Sequence, residues 1–432
     1  MRTLLIASLL LTAAHPALAQ DAPSPARLKG DVEKLVSFGT RHTLSDPDHP
    51  TRGIGAARRW FANELNAISE KCGGCITVSN IARTFTGPRV PNGANVVDVL
   101  GFQAGEENKR VVIIMGHIDS RVSDVMDATS DAPGANDDAS GTALVLETAR
   151  ILSKEKFKAT IIYAALSGEE QGLLGGQLLA ETAQAAGWEV SAVLNNDIVG
   201  NTVGQNGVRV ADRVRVFSEG IRQIETIDEQ KARRGNGGED DGPSRSLAKG
   251  IDRMAAKIPG ALDVFVVRRP DRFGRGGDHE AFLRLGYPAI RFSVAAENYD
   301  QQHQDLRTEG GREYGDTIDK MDFPYLAKVT ALNVAAARQF ASAPAIPKNV
   351  AIEGALATDT TVSWQAVPGA AKYRVHWRRN DAQDWTDHRD VTGTSTVLKD
   401  IVVDDYFVGV SALSADGAES VVSFAGRAQR RP

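Results

Sequence analysis

Between residues 94 and 340, short β-branched runs alternate with segments whose apolar residues recur at helical spacing. Residues 95–101, 110–115 and 159–166 read as strands, as do 190–194, 262–267 and 289–292. Residues 141–152, 173–186 and 323–340 carry the apolar periodicity of helices. Such alternation predicts an α/β fold with a mostly parallel central sheet and helices on both faces. Ligands of these sheets gather beyond the carboxyl ends of the strands. His117 follows one predicted strand, Glu169 the next and Asp197 a third.

The residues at those strand ends are of the types that hold metal. They are Gly116-His117-Ile118-Asp119, Ser167-Gly168-Glu169-Glu170 and Asn195-Asn196-Asp197. Between the first two lies the glycine-bounded turn Gly134-Ala135-Asn136-Asp137-Asp138-Ala139-Ser140-Gly141. A hydrolytic centre with two cations needs a bridging carboxylate, with imidazole and carboxylate completing each site. It also needs a free carboxylate to take a proton from the attacking water. Nitrogen and oxygen donors in this mixture suit zinc better than calcium or magnesium. Glu169 and Glu170 follow a buried strand in a turn, where neighbouring side chains can point apart, one to a metal and one to water. The competing structural reading is two solvated glutamates at a helix N-terminus, where acids are favoured.

His117-x-Asp119, Asn136-Asp137-Asp138-Ala139-Ser140-Gly141, Glu169-Glu170, Asp197 and a late histidine together resemble the di-zinc exopeptidases of the bacterial leucyl aminopeptidase family. Relatives of that family include glutamate carboxypeptidases and glutaminyl cyclases. The resemblance covers about residues 90 to 340. It implies that Asp137 bridges two zinc ions, with His117 and Asp197 completing one site and Glu170 and His303 the other. Glu169 would be the general base, and Asp119 would orient His117 through its other ring nitrogen. A cis peptide after Asp137 is also implied, and Asp138 would hold the turn. His303, in Glu297-Asn298-Tyr299-Asp300-Gln301-Gln302-His303, lacks the proline that often follows this histidine in relatives. Its rival is His279, in a segment resembling the family's Asp-His pair that lines the pocket without binding metal.

The first residues read as an export signal: Arg2, an apolar run over residues 4–12, and Ala17-Leu18-Ala19 as the cleavage site. Residues 1–19 are expected to be removed, and the protein exported to the periplasm or secreted. No other segment approaches a membrane span. The formal net charge of −5 argues against nucleic acid as a partner, which calls for a basic face. Cys72 and Cys75 flank two glycines. After an export signal this pair suggests a small structural disulfide loop in preference to a redox motif.

The composition changes after Phe340. Residues 341–347 form a linker, and short alternating strands with turn residues follow, predicting an all-β sandwich over 344–432 after a peptidase domain over 20–343. The positions of Trp364, Tyr373 and Tyr406 resemble those in fibronectin type III domains. His376 and His388 fall here and are expected on its surface or in its packing. His42 and His49 are expected at the surface, and Asp124, Asp127 and Asp131 solvate the loop before the Asn-Asp-Asp turn. Residues 234–243, rich in glycine and charge, read as a mobile loop, a solvated insertion in preference to a substrate lid.

The expected activity is zinc-dependent removal of N-terminal residues from peptide substrates. The ligands alone do not separate this from carboxypeptidase or cyclase chemistry. A carboxypeptidase would need arginines for the terminal carboxylate, and Arg268, Arg269, Arg272, Arg275 and Arg291 lie in relevant segments. Asn298 and Tyr299 are further candidates for substrate contact. The alternative from another class is a non-catalytic binding protein whose C-terminal sandwich contacts a cell surface or polymer.

Overall fold

The computed structural model describes residues 22–428; the expected export signal lies outside them. Two helices lead in, α1 (Pro25–Val36) and α2 (Gly53–Lys71). The Ser24 side chain accepts from the Arg27 backbone at the start of α1, where Pro25 loses no helical hydrogen bond. A disulfide between Cys72 and Cys75 closes the turn into an antiparallel hairpin of β1 (Ile76–Gly87) and β2 (Val90–Gln103). The alternation then runs β3 (Glu107–His117), α3 (Ala139–Leu152), β4 (Ala159–Leu166), α4 (Leu174–Ala185) and β5 (Glu189–Asn196). It continues through β6 (Arg213–Phe217), α5 (Ile227–Gly235), α6 (Pro243–Ala255), β7 (Asp263–Val267), α7 (His279–Arg284) and β8 (Ala289–Val294). A short hairpin of β9 (Arg307–Glu309) and β10 (Arg312–Tyr314) precedes the long α8 (Phe323–Ser342).

Eight strands make one sheet in the order β1-β2-β4-β3-β5-β8-β6-β7. The central run β4-β3-β5-β8 is parallel, as is β6 with β7; the β1–β2 hairpin, its join to β4 and the β8–β6 pair are antiparallel. The expected mostly parallel sheet is therefore present, in mixed form. Side chains along β3 alternate between two cores, as a pleated strand requires. Val112 and Ile114 pack with α1, α2, α3 and α8, whereas Val111, Ile113 and Met115 pack with α4 and α7. Burial on both faces explains why β4 reads as an unbroken apolar run, Ala159–Leu166. Among the described residues no helix is long and apolar enough to cross a membrane.

After α8 come eight short strands: β11 (Ala351–Glu353), β12 (Thr360–Ser363), β13 (Lys372–Arg379), β14 (Asp387–Val391), β15 (Ser395–Leu398), β16 (Tyr406–Leu413), β17 (Ser423–Phe424) and β18 (Gly426–Arg427). They form two four-stranded sheets, β15-β12-β11-β18 and β14-β13-β16-β17. Trp364 and Tyr373, with ring centroids 5.3 Å apart, sit in a separate core with Val362, Val375, Leu398 and Val410. His376 is buried in this module against Ser411 and Glu419, and His388 is exposed.

The segment 234–243 is not simply a solvated loop. Asp241 is buried and takes Arg378 of β13 at 2.7 Å and Lys249 of α6 at 3.1 Å, joining the two parts of the chain. Asp241, read as solvated, is an ion-pair partner for a strand more than a hundred residues later.

Candidate active site

The carboxyl ends of β3, β4 and β5 lie side by side, because His117 pairs with Leu166 and Met115 with Asn195. The start of α3 is pressed against them. A Cβ on Gly141 would sit 2.1 Å from the Asn196 carbonyl oxygen, and one on Gly116 would sit 2.7 Å from the Gly141 carbonyl carbon. Only glycine allows this approach, which brings Asp137 over the strand ends. The Asp137–Asp138 peptide is cis, as the resemblance implies. Asp138 is fully buried and accepts from Gly141 N at 2.9 Å and His117 N at 3.0 Å, tying the turn to β3.

Two groups of donor atoms meet at Asp137. His117, Asp137 and Asp197 form one, and Asp137, Glu170 and His303 the other. Nε2 of His117 lies 3.1 Å from Oδ1 of Asp137 and 3.9 Å from Oδ1 of Asp197. Nε2 of His303 lies 3.0 Å from Oδ2 of Asp137 and 3.2 Å from Oε1 of Glu170. Behind His117, Nδ1 is 3.1 Å from the Asp119 carbonyl oxygen and 3.4 Å from its carboxylate. Asp119 is itself fixed by Thr43 Oγ1 at 2.8 Å and Glu170 N at 3.2 Å. Asp119 thus orients the imidazole with main chain as well as side chain.

These residues fit cations. Oε1 of Glu170 is buried and makes no well-directed hydrogen bond, with only the His303 ring nitrogen beside it at 3.2 Å, so positive charge at this point is favoured. The imidazole and carboxylate donors match zinc. Burial would raise the Asp137 carboxyl, but His303 and His117 outweigh it and hold it well below the usual carboxylate range.

Glu169 lies apart from both groups. Its carboxylate faces a cavity of about 310 Å³ with Arg89, Arg121, Arg272 and Arg275 on the wall. Burial pushes this carboxyl well above its usual range; Asp197 and Glu170 add to the effect and His117 opposes it. A carboxylate that must accept and return a proton requires a shift in that direction. A larger cavity, about 820 Å³, lies between the peptidase-like part and the C-terminal sheets, away from both donor groups.

Several expectations need correction. The Asp278–His279 pair does not line the cavity. Asp278 is buried against Gly176 N at the start of α4, and His279 is fully buried with Nε2 2.8 Å from the Pro270 carbonyl. Arg291 is not open to a substrate carboxylate: it is fully buried, donating to Asp197 Oδ1 at 2.8 Å and Asp271 Oδ2 at 2.9 Å. Tyr299 points to solvent, and Asn298 accepts from Asp300 N in its own turn. His42 is buried, its Nε2 2.9 Å from the Val125 carbonyl and 3.0 Å from Gln171 Nε2, while His49 is exposed as expected.

Other residues at the site carry no motif. Arg121 donates from Nε to Glu170 Oε2 at 2.8 Å, and its Nη2 lies 2.7 Å from His303 Nδ1. Gln302 donates to Asp137 Oδ2 at 3.2 Å. Asp316, before α8, accepts from the backbone of Asn136 and Asp137 at 2.9 and 2.7 Å, and burial pushes its carboxyl up to about 7. Arg41 is fully buried and donates to the carbonyls of Ile118, Pro133 and Gly134, bracing both ends of the loop between His117 and Asp137.

Residues 95–335 match peptidase family M28, and the chain belongs to that family. A probable zinc metalloprotease of Leptosphaeria maculans is 42% identical over 404 residues, covering 92% of this chain and 93% of that protein. Another, of Pyrenophora tritici-repentis, is 41% identical over 408 residues, covering 93% and 84%. Among solved structures, the LapA aminopeptidase of Legionella pneumophila aligns with a TM-score of 0.52 at 19% identity, over 74% of this chain and 72% of that one. The aminopeptidase of Aneurinibacillus sp. strain AM-1 aligns at 0.52 and 14% identity, over 74% and 94%. A glutaminyl cyclase of Porphyromonas gingivalis aligns at 0.51 and 17% identity, over 73% and 97%. Likeness at these identities concerns the fold, which aminopeptidases and cyclases share.

Proposed function

We propose that the protein is an exported zinc-dependent exopeptidase that removes N-terminal residues from peptides. One observation carries the chemistry: the two oxygens of Asp137 face separate donor groups, while Glu169 beside them is left free. His117, Asp197 and one Asp137 oxygen would hold one zinc ion, and Glu170, His303 and the other oxygen a second. When bound, the ions would supply Lewis-acid activation of a water molecule and of the scissile carbonyl. Glu169 takes the proton of the attacking water and returns it to the leaving amine. Asp119 keeps the His117 imidazole in its liganding orientation, and Arg291 does the same for Asp197. The relatives' description as probable zinc metalloproteases supports the metal and the reaction class.

Export rests on Arg2, the apolar residues 4–12 and the Ala17-Leu18-Ala19 cleavage site. The same reading divides the mature chain at residue 343, with the β-rich remainder as an accessory module resembling fibronectin type III. Hydrolysis of free and N-acetylated peptides, with and without chelator, tests the exopeptidase reading. Chelator-sensitive cleavage confined to free N-termini supports it; equal cleavage of acetylated peptides defeats it.

A further inference from the structure

Four arginines from three stretches of chain face the cavity beside the donor groups: Arg89 in the β1–β2 turn, Arg121 after β3, and Arg272 and Arg275 before α7. Leu173 is the one large apolar side chain on that wall. A pocket selecting an apolar residue would show the opposite composition.

The arginines differ in how far they are already engaged. Arg121 is spent on Glu170 and His303. Arg272 is saturated by Asp271, Glu297 and the Gly276 carbonyl, and is 9% exposed. Arg275 is 31% exposed and uses only Nη1, toward Glu297 and Gln302. Arg89 is exposed and uses only Nη1, toward the Glu170 carbonyl. Glu297 is shared among Arg215, Arg272 and Arg275, so a single carboxylate serves three guanidiniums. Zinc in the donor groups would consume the charge of Asp137, Glu170 and Asp197, leaving the wall positive. Two guanidinium edges then stand open at the cavity, a geometry suited to a carboxylate.

We propose that this cavity selects substrates carrying a carboxylate next to the scissile bond, gripped by Arg89 and Arg275. The proposal rests on the peptidase reading and narrows its substrate class. The carboxylate has two sources, an acidic side chain on the N-terminal residue or the α-carboxylate of a short peptide.

Zinc-loaded full-length protein separates them. One arm compares N-terminal Glu with Gln in C-terminally amidated peptides; the other compares free with amidated C-termini on peptides with neutral side chains. A preference of roughly ten- to a hundred-fold in kcat/KM is expected in one arm, the size of a charge-assisted contact. It should shrink with added salt and be lost in Arg275→Gln and Arg89→Gln. Arg89 lies in an exposed hairpin turn, so its variant stays informative if Arg275→Gln misfolds. Calorimetric binding of glutamate against glutamine reads the side-chain source on the same wall without turnover. If no peptide is cut, the peptidase reading fails while tighter glutamate binding still supports the carboxylate site. Equal rates in both arms with chelator-sensitive cleavage overturn the proposal and leave the peptidase standing.

Discussion

Nε2 of His303 lies 3.0 Å from Oδ2 of Asp137, although the two residues are separated by most of the central sheet in sequence. That contact completes the second donor group with Glu170. Replacing His303 by Ala should lower bound zinc by about one equivalent per chain while the first group, built on His117 and Asp197, keeps its own. Atomic emission on the dialysed variant checks this. Full zinc content with unchanged hydrolysis would remove His303 from the site.

Glu169 supplies no donor atom to either group, so its loss should spare the metal and stop proton transfer. Glu169→Gln is expected to reduce kcat by roughly 10²- to 10⁴-fold at unchanged zinc content. Steady-state kinetics alongside metal analysis separates this from a ligand's behaviour, in which zinc and activity fall together.

Much of the site was legible because it sits where chain pattern and chemistry coincide. β3, β4 and β5 are buried on both faces, so they appear as β-branched runs, and His117, Glu169 and Asp197 stand at their ends. Arg121, Gln302 and Asp316 were not legible, since each acts on a residue far away in sequence and sits in no periodic segment. His42 misled for the same reason: its stretch is rich in Asp and Pro, but Gln171 and the Val125 carbonyl accommodate it inside. Arg291 looked available for substrate because neither Asp197 nor Asp271 marks it locally as a partner. The start of the sheet was placed late, at residue 94, because β1 is half exposed and its residues alternate without a buried run.

Asp241 and Arg378 form a buried ion pair between α6's leading loop and β13. Removing Arg378 leaves Asp241 buried with Lys249, at 3.1 Å, as its remaining partner, so the cost falls below the ~3–5 kcal/mol of a wholly unpaired buried charge, to roughly 1–3 kcal/mol. Arg378→Met should therefore lower the urea midpoint markedly, whereas the double variant Asp241→Asn with Arg378→Met should recover part of the loss. Unaltered midpoints in the single variant would show that water reaches this pair.

Glu219 is buried with Oε1 unpartnered, and burial raises its carboxyl from 4.5 to about 7. A raised folded pKa means that its favourable contribution is complete below about pH 4.5 and is lost as pH rises through about 7. The loss is about 2 kcal/mol, allowing for water reaching part of the group. Denaturant titrations at pH 5 and 8 should show Glu219→Gln gaining on the parent at the higher pH. Parallel pH profiles would refute the shift.

The most direct test of the two-metal centre is zinc stoichiometry in Asp137→Ala, because Asp137 alone belongs to both donor groups. The parent should hold about two zinc ions per chain after dialysis, and the variant close to none, with hydrolysis abolished. A variant that keeps one tightly bound zinc, or a parent that never binds more than one, would contradict the bridging role of Asp137.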